Sequence, residues 1–432
     1  MSRPARVSPP RRFAVVSTCP EPWGGSEELW SGAAAALAER GHRVSAFKTV
    51  VDESHPTVRR LKALSCPVRD LRQPPGVPRR LVTLSHLVTV GAHLKSRRPD
   101  LVVVSQGDNY DGLHFGHLCR RLGLPYTLIS QKATDHFWPI DRMRKFRRGV
   151  FQSAARCFFV SQHNRGLTED QIGATLTNAA VVRNPYLVGA GEPLPWPGGE
   201  DDRLRLACVA RLYLLDKGQD ILLRVLAREK WKGRRLHVSF FGRGVNREGL
   251  VELAARLGVR NVSFEGQTDD VPGIWKTHHA LVLPSRSEGL PLSLVEAMMC
   301  GRPAVVTKVG GNAEVVEDRV TGFLAAPAED SIDAALEEAW ARRGELRAMG
   351  RLAASRIREL VPSNPAEEFA DALLEVAGAL GDAGARPGRG RSEARQEAER
   401  PADADKLAGR ELSPARGARS LGPTPDGGRS GA

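Results

Sequence analysis

From Arg12 onward, short runs of β-branched and other apolar residues alternate with longer stretches whose apolar positions recur at helical spacing. In the first half this pattern predicts strands over residues 13–17, 44–47, 101–105, 126–130 and 157–161, with helices between them. The first helix, over 27–40, follows Gly24-Gly25-Ser26, carries Glu27 and Glu28 in its first turn and stops at Gly41. The alternation breaks at Asn184-Pro185 and in the stretch 189–202, where three prolines and four glycines disfavour both helix and strand. It then resumes with strands over 204–210, 236–241, 262–264, 280–284, 304–307 and 322–324. Helices are expected over 219–228, 247–257, 292–299, 312–317, 331–342 and 365–380. Strand–helix alternation of this kind argues α/β architecture with parallel sheets.

The resulting division is an N-terminal Rossmann-like domain over 12–184, a linker over 185–203, a second Rossmann-like domain over 204–363 and a last helix over 364–380. Residues 381–432 hold almost no large apolar side chains, and such a segment is expected to be disordered because it cannot offset its ordering entropy. The 432-residue length suits two domains. No apolar run approaches the roughly 18 residues of a membrane span. The run 13–17 is too short for the core of a secretory signal. Six scattered cysteines without a CxxC pair signal neither zinc nor a disulfide framework, which points to a cytoplasmic protein with reduced thiols.

The net charge of +13 is uneven: the first 185 residues hold 28 Lys and Arg against 14 Asp and Glu, whereas residues 186–380 hold 25 against 28. The basic clusters are Arg59, Arg60 and Lys62; Arg79 and Arg80; Lys95 to Arg98; and Arg142 to Arg148. Such a half attracts an anionic membrane surface, a phosphorylated acceptor or nucleic acid; the alternative is a merely solvated basic face.

The sharpest chemistry lies after the apolar run 280–283, in the segment Ser285 to Pro303. There Glu288 falls at the C-terminal end of a strand, where open α/β sheets bind ligands, and Glu296 falls on the following helix. The N–H groups at Gly289 and Leu290 open that helix and suit an anion, and carboxylates suit pairs of sugar hydroxyls. No P-loop, HExxH, Cys/His ligand set or third glycine after Gly242-Arg-Gly244 is present.

Set in SxxEGLPLxxxEAMxxGxP, with Arg211-Leu-(x4)-Lys217-Gly218 upstream and Gly310-Gly311-Asn-Ala-Glu314 downstream, this segment resembles the GT-B glycosyltransferases of family 4. Their Glu-x7-Glu signature is matched by Glu288 and Glu296, and Gly24-Gly25 with Arg40-Gly41-His42 extends the likeness across residues 12–380. The resemblance implies a GT-B fold, two Rossmann-like domains facing across a cleft. It also implies retaining transfer of a hexosyl group from a nucleotide-diphosphate sugar to a glycan or lipid-linked acceptor, in cell-envelope or exopolysaccharide synthesis.

Residue by residue, the resemblance implies that Arg211 and Lys217 hold the diphosphate, Glu288 the donor sugar and Glu296 the ribose, with backbone N–H groups from Gly289 and Leu290. Gly24 and Gly25 would lie on the acceptor side, unless they are a plain strand-to-helix turn. No cofactor or metal is expected, since the two cations serve the diphosphate, and no nucleic-acid partner is expected.

One departure is visible: after the strand 126–130 many relatives carry a histidine, and this chain has Gln131 and Lys132. His136 is the candidate replacement, with a local loop contact as the alternative. Asp108 and Asn109 are candidate acceptor contacts, with turn-forming roles as the alternative. A sugar-nucleotide hydrolase or epimerase and a non-catalytic binding module are the competing functions. The protein is expected in the cytoplasm, with a peripheral position on the inner face of the membrane as one option.

Overall fold

The computed structural model describes residues 9–72, 76–189, 191–198 and 202–385. Strands β1 (Arg12–Ser17), β2 (Arg43–Lys48), β3 (Val68–Asp70), β4 (Leu101–Asp108), β5 (Tyr126–Lys132), β6 (Arg156–Phe159) and β7 (Ala179–Val181) form one sheet in the order β3-β2-β1-β4-β5-β6-β7. Strands β8 (Leu204–Val209), β9 (Leu236–Phe241), β10 (Val262–Gly266), β11 (Ala280–Leu283), β12 (Ala304–Thr307) and β13 (Gly322–Ala325) form a second, in the order β10-β9-β8-β11-β12-β13. All their strand pairings are parallel. Continuous apolar strands such as Leu101–Val104 and Ala280–Leu283 are buried along their length, as expected where helices cover both faces of a parallel sheet.

Successive residues of β1 show the two faces. Phe13 and Val15 pack with the helix Gly25–Glu39, while Ala14 and Val16 pack with the helices Arg79–Arg97 and Leu113–Leu122. Strand order reverses between β1 and β4 in the first sheet and between β8 and β11 in the second. These switch points are where open α/β sheets leave a crevice at the strands' C-terminal ends. No helix of the described residues is long and apolar enough to cross a membrane. All six cysteines are free and buried.

Two short strands, β3 and β7, were not expected, and neither was the helix Leu346–Leu360. Residues 381–385, expected in the disordered tail, belong to the last helix, which runs Pro365–Ala385; the rest of that expected tail, residues 386–432, lies outside the described residues. That helix leaves the second domain and lies on the helix Gly25–Glu39, burying Phe369, Ala370, Leu373, Val376 and Ala377 in the N-terminal core. The Phe369 ring meets Phe158 of β6 edge-on at 5.0 Å, and Arg40 pairs with Glu367 and Asp371 at the rim. The chain between the domains is held to the second by Arg302, a buried guanidinium that donates to the carbonyls of Leu194 and Pro195 at 3.3 and 2.6 Å.

Phe369→Ala leaves a void where the last helix meets the first domain, so a loss of about 3–5 kcal/mol is expected for unfolding of the N-terminal unit. Urea titration followed by fluorescence checks this; an unchanged midpoint would mean that the last helix contributes nothing to that core.

Candidate functional site

The loops after β8 and β11 carry the donor-side candidates. After β8 the chain makes the one-turn helix Leu214–Lys217 and ends it at Gly218, whose φ of +61° favours glycine. A Cβ at Gly218 would stand 2.2 Å from the carbonyl oxygen of Pro284, so the Arg211–Lys217 turn can lie flat on the β11 loop only with glycine there. The peptide N–H groups of Arg286 and Ser287 donate to the Asp216 carbonyl at 2.7 and 3.1 Å, and Arg286 forks onto Asp220 at 2.7 and 2.9 Å. The turn and the loop are thereby one unit.

Within it Glu288 is 4% exposed and its carboxylate accepts from Lys217 Nζ at 2.8 and 2.7 Å and from Ser285 Oγ at 2.7 Å. A buried carboxylate is tolerated only with such partners. Arg211, 43% exposed at its side chain, reaches the N-terminal domain, where it pairs with Glu21 in the loop after β1, and it lies 3.7 Å from Asp216. Burial works against the Arg211 charge, but Glu21 and Asp216 raise its pKa above the ordinary arginine range.

Glu296, on the helix Leu292–Met299, is also 4% exposed and takes the N–H of Leu187 at 3.0 Å. Burial pushes this carboxyl from an ordinary 4.5 to about 7, with the nearby charge of Glu28 adding to the rise and the Leu187 N–H opposing it. Leu290 is buried in the core of the second domain. Gly289 lies where the domains touch: a Cβ there would sit 2.0 Å from the Gln131 carbonyl oxygen at the end of β5.

The acceptor-side candidates divide. Gly24 caps the helix Gly25–Glu39, and a Cβ on Gly25 would lie 2.9 Å from Leu292 Cδ1, so this loop abuts the helix that bears Glu296. Asp108, at the end of β4, is 3.1 Å from Lys132 Nζ. Asn109 is turned inward, 1% exposed, with its amide donating to Thr168 and Gln171 at 2.9 Å each. His136 is exposed in the 3-10 turn Asp135–Phe137. Four residues earlier, Lys132 bonds Asp216 of the second domain at 2.9 Å.

Sequence reasoning did not single out Glu21, Asp216 or Lys48, and it gave Lys132 no role of its own. Lys48 is fully buried and donates to the carbonyls of Glu21 and Cys19 at 2.7 and 3.3 Å, with Glu27 3.5 Å away. It thus fixes the loop that presents Glu21. An internal lysine among apolar strand residues is the only local signal it leaves. Among the described residues no group of three His, Cys, Asp or Glu side chains is arranged to hold a metal ion.

Two family models match the chain. A glycosyl transferase 4-like domain spans residues 24–185, and a glycosyl transferases group 1 domain spans residues 203–342. Among curated relatives, a D-inositol 3-phosphate glycosyltransferase of Segniliparus rotundus is 36% identical over 154 residues, 34% of each chain. The D-rhamnosyltransferase WbpZ of Pseudomonas aeruginosa is 33% identical over 158 residues, 35% of this chain and 39% of that one. The matched part spans little more than a third of these relatives' length.

Similar solved structures include Anabaena HepE in complex with UDP, at TM-score 0.67 and 17% identity, covering 84% of this chain and 100% of that one. Sucrose-phosphate synthase from Thermosynechococcus elongatus matches at 0.69 and 18%, covering 86% and 100%. At these identities the likeness establishes the fold, GT-B, in agreement with the sequence expectation.

The Glu296 carboxyl yields a pH prediction. Below its ordinary value both the folded and unfolded chains hold the proton; between about 4.5 and 7 only the folded chain does, so stability falls as pH rises through this window. Glu296→Gln removes that loss. The variant is therefore expected to exceed the native protein by about 1–3 kcal/mol at pH 8, with the gap closing toward pH 4. Thermal or urea unfolding at the two pH values measures it.

Proposed function

The chain belongs to the glycosyl transferase group 1 and 4-like family, and from that premise we propose that it is a retaining glycosyltransferase. It would move a hexosyl group from a nucleotide-diphosphate sugar to a glycan or lipid-linked acceptor. The observation that carries this reading is the unit formed by Lys217, Ser285 and Glu288, with Arg211 beside it, at the C-terminal ends of β8 and β11 and opposite the first domain.

Arg211 and Lys217 are fixed cations at one site. As the bond between the anomeric carbon and the diphosphate breaks, negative charge grows on the leaving oxygen, and two such cations stabilise it more than they stabilise the bound donor. Their charges are met by Glu21, Asp216 and Glu288. An incoming diphosphate would take the place of Glu21 at Arg211, while Glu288, relieved of part of its ion pair, would accept from hydroxyls of the donor sugar. Glu296 would take the ribose hydroxyls with the oxygen that does not face Leu187.

Because Glu288 would be engaged by hydroxyls of the donor sugar and by Ser285, it is poorly suited to attack the anomeric carbon. The reading is therefore front-face transfer with retention, in which the leaving phosphate takes the acceptor proton. Metal is not required where two side-chain cations serve the diphosphate. Asp108 and the Gly24-Gly25 loop lie on the side from which the acceptor would approach. His136 could join them only from its exposed turn. A cytoplasmic position with the basic half toward an anionic membrane face fits a lipid-linked acceptor in envelope or exopolysaccharide synthesis.

Thermal-shift measurements with UDP, GDP and ADP and their sugar conjugates test the donor pocket. One nucleotide is expected to stabilise the native protein, and Lys217→Ala and Glu296→Ala each to reduce that shift; no response to any of them would overturn the reading. With the donor identified, Lys217→Ala is expected to lower kcat on the order of 100- to 1000-fold. Chelation by EDTA should leave the native rate unchanged, and the product anomer, read by NMR, should match the donor.

A further inference from the structure

The helix Arg79–Arg97 is apolar on two sides. Val90 and Leu94 are buried in the core against the first sheet and Val82 is buried as well, while Leu81, Leu84 and Val88 are each more than half exposed. Their i, i+3, i+7 spacing places them in one stripe along the outward face. A second exposed apolar pair, Trp138 and Ile140, stands just ahead of the helix Asp141–Ser153. Scattered exposed apolar side chains need no account, but a helical stripe beside an exposed tryptophan does.

Topology puts the two sets together. Leu94 and the residues Val150 and Phe151 belong to the same core cluster, and the helix Leu113–Leu122 packs between the two helices, so all three cover one face of the first sheet. A helix in a parallel β-α-β unit runs back against its strands. The starts of Arg79–Arg97 and Asp141–Ser153 therefore lie at the sheet's C-terminal edge, the edge that carries Asp108 and Lys132. Exposed cations accompany both: Arg80 adjoins the stripe, and Arg142 and Lys145 lie on the helix that follows Trp138. No acidic residue occurs between Asp70 and Asp100, and Asp141 is alone between Asp135 and Glu169.

The cluster of Arg59, Arg60 and Lys62 is different. Arg60 pairs with Glu39 at 2.8 Å and Lys62 pairs with Glu53, on a helix that covers the opposite face of the sheet.

We propose that the outward face of these two helices, with Leu81, Leu84, Val88, Trp138 and Ile140 as its apolar contacts, docks on an anionic phospholipid surface. The pattern of apolar side chains entering the acyl boundary while Arg and Lys meet headgroup phosphates is that of an interfacial helix, and indole rings favour the same depth. Docked this way, the molecule sets the C-terminal edge of its first sheet beside the bilayer, where an acceptor carried on a lipid would enter. That consequence rests on the transferase reading; the surface itself does not.

Flotation of the full chain with vesicles tests the proposal. The protein is expected to float with phosphatidylcholine–phosphatidylglycerol vesicles and not with phosphatidylcholine alone. The doubles Leu84→Gln/Val88→Gln and Arg142→Gln/Lys145→Gln should each weaken binding by about tenfold or more. Arg60→Gln/Lys62→Gln should bind as the native chain does, and all variants should keep the native unfolding temperature. No flotation with anionic vesicles, native-like binding by the Leu84/Val88 double, or an equal loss in the Arg60/Lys62 double would each overturn it. Flotation that persists in a protein showing no nucleotide thermal shift would sink the transferase reading and leave the surface standing.

Discussion

Carboxylates withdrawn from water have to be matched by cations, and at this site the matching decides how the two domains meet. Glu288 is answered within its own domain by Lys217. Asp216 is answered across the gap by Lys132, which also holds Asp108, and Arg211 is answered across the gap by Glu21. Each of these residues stands at or just beyond a strand's C-terminal end, and four of the strands involved, β1, β4, β8 and β11, flank the two points where strand order reverses. Two crevices are thus set mouth to mouth, and the charges that line them bridge from one lip to the other.

The parts of the fold that were legible in the sequence are those with a period long enough to read. β9 and β12 fall on the expected residues because Leu236, Val238 and Phe240 alternate with His237 and Ser239 in the first, and the second is a short run of Ala, Val, Val and Thr, with breaks on either side of each. β3 and β7 are three residues long, too short for the two-residue alternation to repeat. The helix Leu346–Leu360 did carry a signal, since Leu346, Met349, Ala353 and Ile357 recur at helical spacing and are buried. Small residues and four arginines within it obscured the apolar stripe.

At the site, Glu288, Lys217 and Arg211 were legible because local motifs surround them. Their partners were not: Asp216 and Lys132 are 84 residues apart, and Glu21 and Arg211 are 190 apart. A pairing at that separation is a product of two folded domains and leaves no pattern in either segment. Asn109 illustrates the reverse difficulty. A polar residue after a strand reads as a surface contact, yet here its amide is spent on Thr168 and Gln171 inside the first domain.

The return of the last helix to the first domain means that the chain passes between the domains twice, once through the segment that follows β7 and once before Pro365. A body joined to another at a single point can swing in any direction. Joined at two points, it is left with one easy motion, a rotation about the line through both. Glu296 is tied to one of those crossings through the Leu187 N–H. A change at this carboxylate is therefore felt first where the chain crosses from one domain to the other.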